Sequence, residues 1–174
     1  MVTATFSGTS CVEITDTILV TVNNFDPGSI SAAQDICEGD TPAPFTSVTP
    51  TGDGTFTYQW QSSLDGTNFT NITGALNETY AAGALTVDTW FRRQVTSTLN
   101  GTPCTEPTAA VKVTVNNFTP GTISAAQTIC EGDTPVAFTA TAPAGDGTFT
   151  FQWQDSPDGT TFTDIGGANT AAYA

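Results

Sequence analysis

The chain has 174 residues, with 3 Lys+Arg against 17 Asp+Glu and no His, for a formal net charge of −14. That surplus repels phosphate backbones and anionic lipid, and no run of about 18 apolar residues occurs, so neither a nucleic-acid partner nor a membrane-spanning segment is expected. Without His the commonest general base and the usual zinc nitrogen ligand are missing, while 36 Thr, 16 Gly and 10 Pro read as an all-β chain with many turns.

In chain order, Ile18–Val22 reads as a strand, closed by Asn-Asn-Phe25 and the Pro27-Gly28 turn. Strands are then expected over Ser29–Ile36 and Ala43–Val48, separated by the Cys37-Glu-Gly-Asp turn. After a Gly52-Asp-Gly turn, Thr55–Gln61 alternates, with Phe56, Tyr58 and Trp60 on one face and Thr57, Gln59 and Gln61 on the other. Leu64-Asp-Gly-Thr is a hairpin signal returning through Asn68–Ile72. Strands near Thr79–Ala82, over Thr89–Ser97 and over Ala109–Val115 complete the series.

The series repeats. Val20-Thr-Val-Asn-Asn-Phe25 returns as Val113-Thr-Val-Asn-Asn-Phe118, an offset of 93, and 43 of the 62 positions aligned between 20–81 and 113–174 are identical. The same offset carries Cys11 to Cys104, Cys37 to Cys130, Trp60 to Trp153 and Tyr80 to Tyr173. A unit of that size with about seven short strands predicts a Greek-key β-sandwich, repeated in tandem. The Asn-Asn-Phe-x-Pro-Gly stretches mark the junctions. Residues 1–24 then hold the C-terminal strands of one unit, 25–117 a complete unit, and 118–174 the N-terminal two-thirds of the next. Met1 aligns with Gln94, inside a strand, which is expected of a window on a longer array.

The run Thr128-Ile-Cys-Glu-Gly-Asp-Thr-Pro135, the strand ending in Phe151-Gln-Trp-Gln154, and Thr89-Trp-Phe-Arg-Arg-Gln-Val-Thr-Ser97 together resemble the immunoglobulin-like tandem repeats of large secreted Bacteroidota surface proteins. Such repeats occur in adhesins and gliding-type proteins exported by the type IX system. The resemblance implies an extracellular location on a bacterial cell surface and a structural or adhesive role, without naming a ligand.

Candidate side chains follow from the pattern. Trp60, Trp153, Phe56 and Tyr58 are expected in the sandwich core. Trp90 and Phe91 are adjacent and must point to opposite faces, so Trp90 with Arg92 and Arg93 forms a candidate interface. The four cysteines suggest an oxidising compartment. Cys37 with Cys104 is the preferred disulfide, which would stabilise the unit by roughly 4 kcal/mol. Cys11 and Cys130 would then pair outside their own fragments. Bridges Cys11–Cys37 and Cys104–Cys130 between successive units remain the alternative.

The Asp-Gly turns at Asp53, Asp65, Asp146 and Asp158 are ordinary turn chemistry. No resident metal is expected. Ca²⁺ at a junction, held by Asp26, Glu38 and Asp40, is the one ion the sequence leaves room for. Asp16-Thr17-Ile18 resembles the short O-glycan acceptor of Bacteroidota, which makes Thr17 a candidate modification site.

An enzyme is not expected, because no nucleophile–base pair can be assembled. The function expected is a non-catalytic stalk or fibre segment whose partners are neighbouring copies of the same repeat. A filament subunit completed by strand exchange with other chains is one alternative; a carbohydrate-binding module for surface polysaccharide is another.

Overall fold

A computed structural model describes residues 1–124 and 126–173. Its strands are β1 (Val2–Phe6), β2 (Thr9–Glu13), β3 (Phe25–Asp26), β4 (Ser29–Ile30), β5 (Gln34–Cys37), β6 (Ser47–Val48), β7 (Thr51–Gly52) and β8 (Thr55–Ser63). They continue as β9 (Thr70–Asn71), β10 (Thr89–Leu99), β11 (Thr102–Pro107), β12 (Val111–Asn116), β13 (Phe118–Thr119), β14 (Ala144–Gly145), β15 (Gln154–Asp155) and β16 (Thr163–Asp164). The fold is all-β, with no helix among the described residues and hence none long and apolar enough to cross a membrane.

The main sheet lies in residues 25–117, in the order β5-β12-β10-β8-β9, with β11 also pairing β10. Every pairing is antiparallel except β5 with β12, where Val113 faces Gln34 and Asn116 faces Cys37. Opposite this sheet run the short ladders β3–β7 and β4–β6 and the Phe45–Tyr80 bridge. Phe45, Trp60, Phe91 and Val113 are buried between them, with Ala75 and Ala82, and Tyr80, Ile30 and Ile36 pack at the edge. The rings of Phe45 and Phe91 lie 4.9 Å apart and those of Trp60 and Tyr80 5.5 Å. Pleating explains the assignment of faces. Along β10, Thr89, Phe91, Arg93, Val95 and Ser97 are buried, while Trp90, Arg92, Gln94 and Thr96 are half-buried on the outer face.

The long strand expected over Ser29–Ile36 is divided. β4 pairs within the small layer, and after three residues β5 joins the edge of the main sheet. The strand expected over Ala109–Val115 is β12, and β11, which the sequence reading did not mark, precedes it, with Thr108 N–H donating to the Arg93 carbonyl between them.

Particular local contacts recur at the offset of 93. Asn24 and Asp53 exchange the bonds that Asn117 and Asp146 exchange one period later, with Asp53 N–H to Asn24 O at 2.9 Å and Asp146 N–H to Asn117 O at 2.8 Å. Trp60 and Trp153 each donate through Nε1 to a carbonyl 17 residues on, both at 2.9 Å. Gly52 and Gly145 hold φ of 127° and 131°, and a Cβ on either would collide with the junction backbone at Asn24–Phe25 or Asn117–Phe118.

Ile18–Val22, expected as a strand, forms no ladder. Its counterpart β12 is held by the Thr89–Phe91 and Gln34–Cys37 segments, and residues 1–24 contain no counterpart of either. Val113 and Val115 are 0% and 2% exposed, whereas the equivalent Val20 and Val22 are 79% and 63% exposed.

Candidate functional site

The outer face of the main sheet carries a strip of aromatic and cationic side chains. Phe91 enters the core and Trp90 faces outward. Trp90 pairs across the strands with Lys112, whose Nζ lies 4.9 Å from the indole centroid, and Gly66 packs against the same ring. Lys112 Nζ also meets Asp88 Oδ2 at 2.6 Å, while Asp88 Oδ1 accepts from Val115 N–H at 2.8 Å. The Lys112 ammonium first, and that backbone N–H second, hold the Asp88 carboxyl below its ordinary range. Arg92 Nε donates to Gln61 Oε1 at 2.7 Å, and its guanidinium covers the Phe69 ring at 4.0 Å. Lys112, Phe69 and Asp88 were not marked by the sequence; the cross-strand register brings Lys112 to Trp90, and side-chain contacts bring Phe69 to Arg92 and Asp88 to Lys112.

Arg93 does not join that strip, which corrects its assignment to an interface. It is 0% exposed, because odd positions of β10 face the core. Its Nη1 bonds Ser47 Oγ and the Glu78 carbonyl (3.1 Å), and Nη2 donates to the carbonyls of Pro27 (2.9 Å) and Val48 (3.2 Å). Among the described residues Nε finds no partner, and the guanidinium lies 4.9 Å from the Tyr58 ring centroid. Burial lowers its pKa, opposed by Tyr58 and Glu78. The Glu78 carboxylate itself bonds Ser47 Oγ (3.1 Å) and Thr49 Oγ1 (2.9 Å), so it reaches Arg93 through Ser47. Arg93 thus ties the small layer to the main sheet.

Of the residues expected in the core, Trp60 is fully buried. Phe56 and Tyr58 share its face but are half-buried, Phe56 against Phe25 and Tyr58 against Arg93. Trp153 is also half-buried, although Phe138 and Tyr173 stack on it as Phe45 and Tyr80 do on Trp60. The difference is the other half of the sandwich, since residues 118–174 align with 25–81 and supply no counterpart of Phe91 or Val113.

The preferred disulfide is overturned. All four cysteines are free, with Cys104 half-buried and the others exposed. Cys37 faces Asn116, three residues past Val113, and Val113 in turn faces Thr89. Cys104 faces Ser97, eight residues farther along β10 in the opposite direction. Eleven residues of strand separate them by roughly 35 Å, against the ~7 Å that a disulfide spans. The unit therefore has a leading end, where the chain comes in beside Asp53, Ser97 and Cys104, and a trailing end, where it leaves beside Cys37 and Asn116. Asn23 marks the leading end. Its Nδ2 donates to the Ser97 carbonyl at 2.9 Å, and Ser97 Oγ lies between Asn23 Oδ1 (3.0 Å) and the Asp53 carbonyl.

The same polarity separates the carboxylates considered for Ca²⁺. Asp26 sits at the leading end, where Oδ1 accepts from Gly28 N–H at 2.7 Å, and Glu38 and Asp40 sit in the turn at the trailing end. The three do not converge, and no group of three or more His, Cys, Asp or Glu that could hold a metal occurs among the described residues. Asp65 accepts from Asn68 N–H (2.7 Å), Asn68 Nδ2 (2.6 Å), Thr67 N–H (2.8 Å) and Ser63 Oγ (2.8 Å). The Asn68 backbone N–H leads the bonds that pull its carboxyl far below the ordinary 3.8, and Asp158 repeats the arrangement. These are turn residues spent on their own loops. Thr17 is exposed.

Comparison with protein families matches the chain to the family described as Domain of unknown function (DUF8696), over residues 26–117 and again over 119–174. The chain belongs to this family. The two DUF8696 stretches meet at Asn117–Thr119, beside the Asn117–Asp146 contact. No curated protein and no solved structure matches the chain.

Proposed function

We propose that this chain is a non-catalytic segment of an extracellular stalk or fibre, built of immunoglobulin-like units stacked leading end to trailing end. One observation carries the reading. The chain enters and leaves the unit at opposite ends of an eleven-residue strand, β10, and the Asn–Asp clasp at the junction is repeated with the same bonds one period later. Units joined in that way extend and do not fold back on one another. The parallel β5–β12 edge and the order β12-β10-β8 support the immunoglobulin-like description. The charge of −14 keeps long copies apart, and the bacterial surface location follows the sequence resemblance.

The test is small-angle scattering on the 174-residue chain and on the same chain with residues 82–174 repeated after Ala174. Each added period should lengthen the particle by about 35–40 Å, the span of a β10-length strand. An increment below about 15 Å would mean compaction and defeat the reading.

Strand exchange between chains is the second reading, carried over from the repeat pattern of the sequence. It predicts concentration-dependent polymers of the 174-residue chain. A polysaccharide-binding role would need an open ring, and Trp90 is already approached by Lys112 and Gly66. Polysaccharide retention abolished by Trp90→Ala would restore it.

A further inference from the structure

We propose that Cys37 of each unit forms a disulfide with the counterpart of Cys104 in the unit that follows, a covalent staple across every junction. The inference rests on the end-to-end stacking argued above. Cys37 lies in a groove at the trailing end that Asn116 also lines. Cys104 lies in a groove at the leading end lined by Thr21, Asn23 and Thr102. Asn23 and Asn116 are the same residue one period apart. A single junction asparagine therefore does two things. It faces Cys37 in the parallel ladder of its own unit, and its side chain grips the next unit's Ser97 counterpart, which faces the Cys104 counterpart.

Side chains of residues paired across a sheet project to the same face. The Cys37 thiol and the next unit's thiol are thus each one strand spacing from the two ends of the same Asn–Ser contact. Within a unit the pair is about 35 Å apart; across a junction it is brought together. The Cys104 counterpart that would follow Cys37 is not among the chain's 174 residues, nor is the Cys37 counterpart that would precede Cys104. Cys11 lies on the leading-end hairpin of its unit and Cys130 in the trailing-end turn of its own, so neither alternative bridge, Cys11–Cys37 or Cys104–Cys130, spans a single junction within one chain.

Oxidation needs an acceptor for two electrons, and a low-molecular-weight disulfide such as oxidised glutathione supplies it. One cysteine thiolate attacks a sulfur of that disulfide and expels a first glutathione thiolate. The second cysteine thiolate then attacks the mixed disulfide and expels a second. One protein S–S bond forms, the glutathione S–S bond is broken, and the two cysteine protons pass to solvent or glutathione.

The test uses the full chain with residues 82–117 repeated after Ala174, which supplies the missing counterpart. A variant carrying Cys11→Ser, Cys104→Ser and Cys130→Ser keeps Cys37 and the appended cysteine. On incubation with oxidised glutathione its two titratable thiols should fall to none while the protein remains monomeric and gains no glutathione mass. A second variant keeps Cys37 and Cys104 and has Ser at Cys11, Cys130 and the appended position. It should keep both thiols free of intramolecular bonding, and near-ultraviolet dichroism from buried Trp60 reports that both variants are folded. Two free thiols in a folded first variant, a dimer linked between chains, or an internal bond in the second variant would each overturn the staple. Scattering separates the two failures: an elongated particle with free thiols refutes the staple alone, whereas a compact particle refutes the stacking as well.

Discussion

Replacing Arg93 by Met tests whether this buried cation is the tie between the two layers. The guanidinium reaches three backbone carbonyls, those of Pro27, Val48 and Glu78, and the Ser47 hydroxyl, and it makes no ion pair with a carboxylate among the described residues. Met refills most of the stem volume but donates nothing. Each buried acceptor left unsatisfied costs about 1–3 kcal/mol, and relief of the desolvated charge returns part of that. Val48 lies in the β4–β6 ladder and has a neighbouring strand to lean on, so the net loss should be about 3 kcal/mol. Arg93→Lys keeps a charge but replaces a planar fork with one point, which cannot serve Pro27 and Glu78 together, and should lose about half as much. Urea unfolding followed by Trp fluorescence reads both. With a slope of about 1–3 kcal/mol per molar, the Met variant's midpoint should fall by about 1–3 M. A Met variant within about 0.5 kcal/mol of the parent would refute the argument that the backbone carbonyls depend on Arg93.

Two further outcomes follow from the same geometry. Val113→Ala should cost about 2 kcal/mol through lost burial and a cavity, whereas Val20→Ala, the same residue of the repeat, should stay within about 0.5 kcal/mol; equal effects in urea unfolding would show that residues 1–24 are packed. Asp65 has a folded-state pKa below its ordinary 3.8, so its turn bonds contribute stability above that value, and the contribution is lost as the pH falls toward the folded pKa. Asp65→Asn should therefore unfold more easily at neutral pH and show a shallower acid limb, measured as thermal midpoints between about pH 2 and pH 6; an unchanged acid limb would count against the turn.

The sequence by itself carried the all-β class, the period and the turns. A pleated strand announces its faces by alternation, which is how Trp60 was recognisable as core and why Trp90 and Phe91 had to part. Turns are equally local: Gly52 must hold a positive φ, and Asp65 caps a loop made of its next three residues.

What only the tertiary structure decided was which end of the sheet each residue occupies. Cys37 and Cys104 belong to one unit and read as partners, yet one lies beside Asn116 and the other beside Ser97, because β10 and β12 run in opposite directions and β5 joins β12 in parallel. Arg93 read as an interface residue because it follows Trp90 and Phe91 and Arg beside aromatics is enriched at interfaces, and its burial depended on Pro27, Val48 and Glu78 converging from distant parts of the chain. Alternation fixes which face a side chain takes from its immediate neighbours. Its position along the sheet, and what covers it, depend on strand order and direction, and those are set by pairings between segments far apart in sequence.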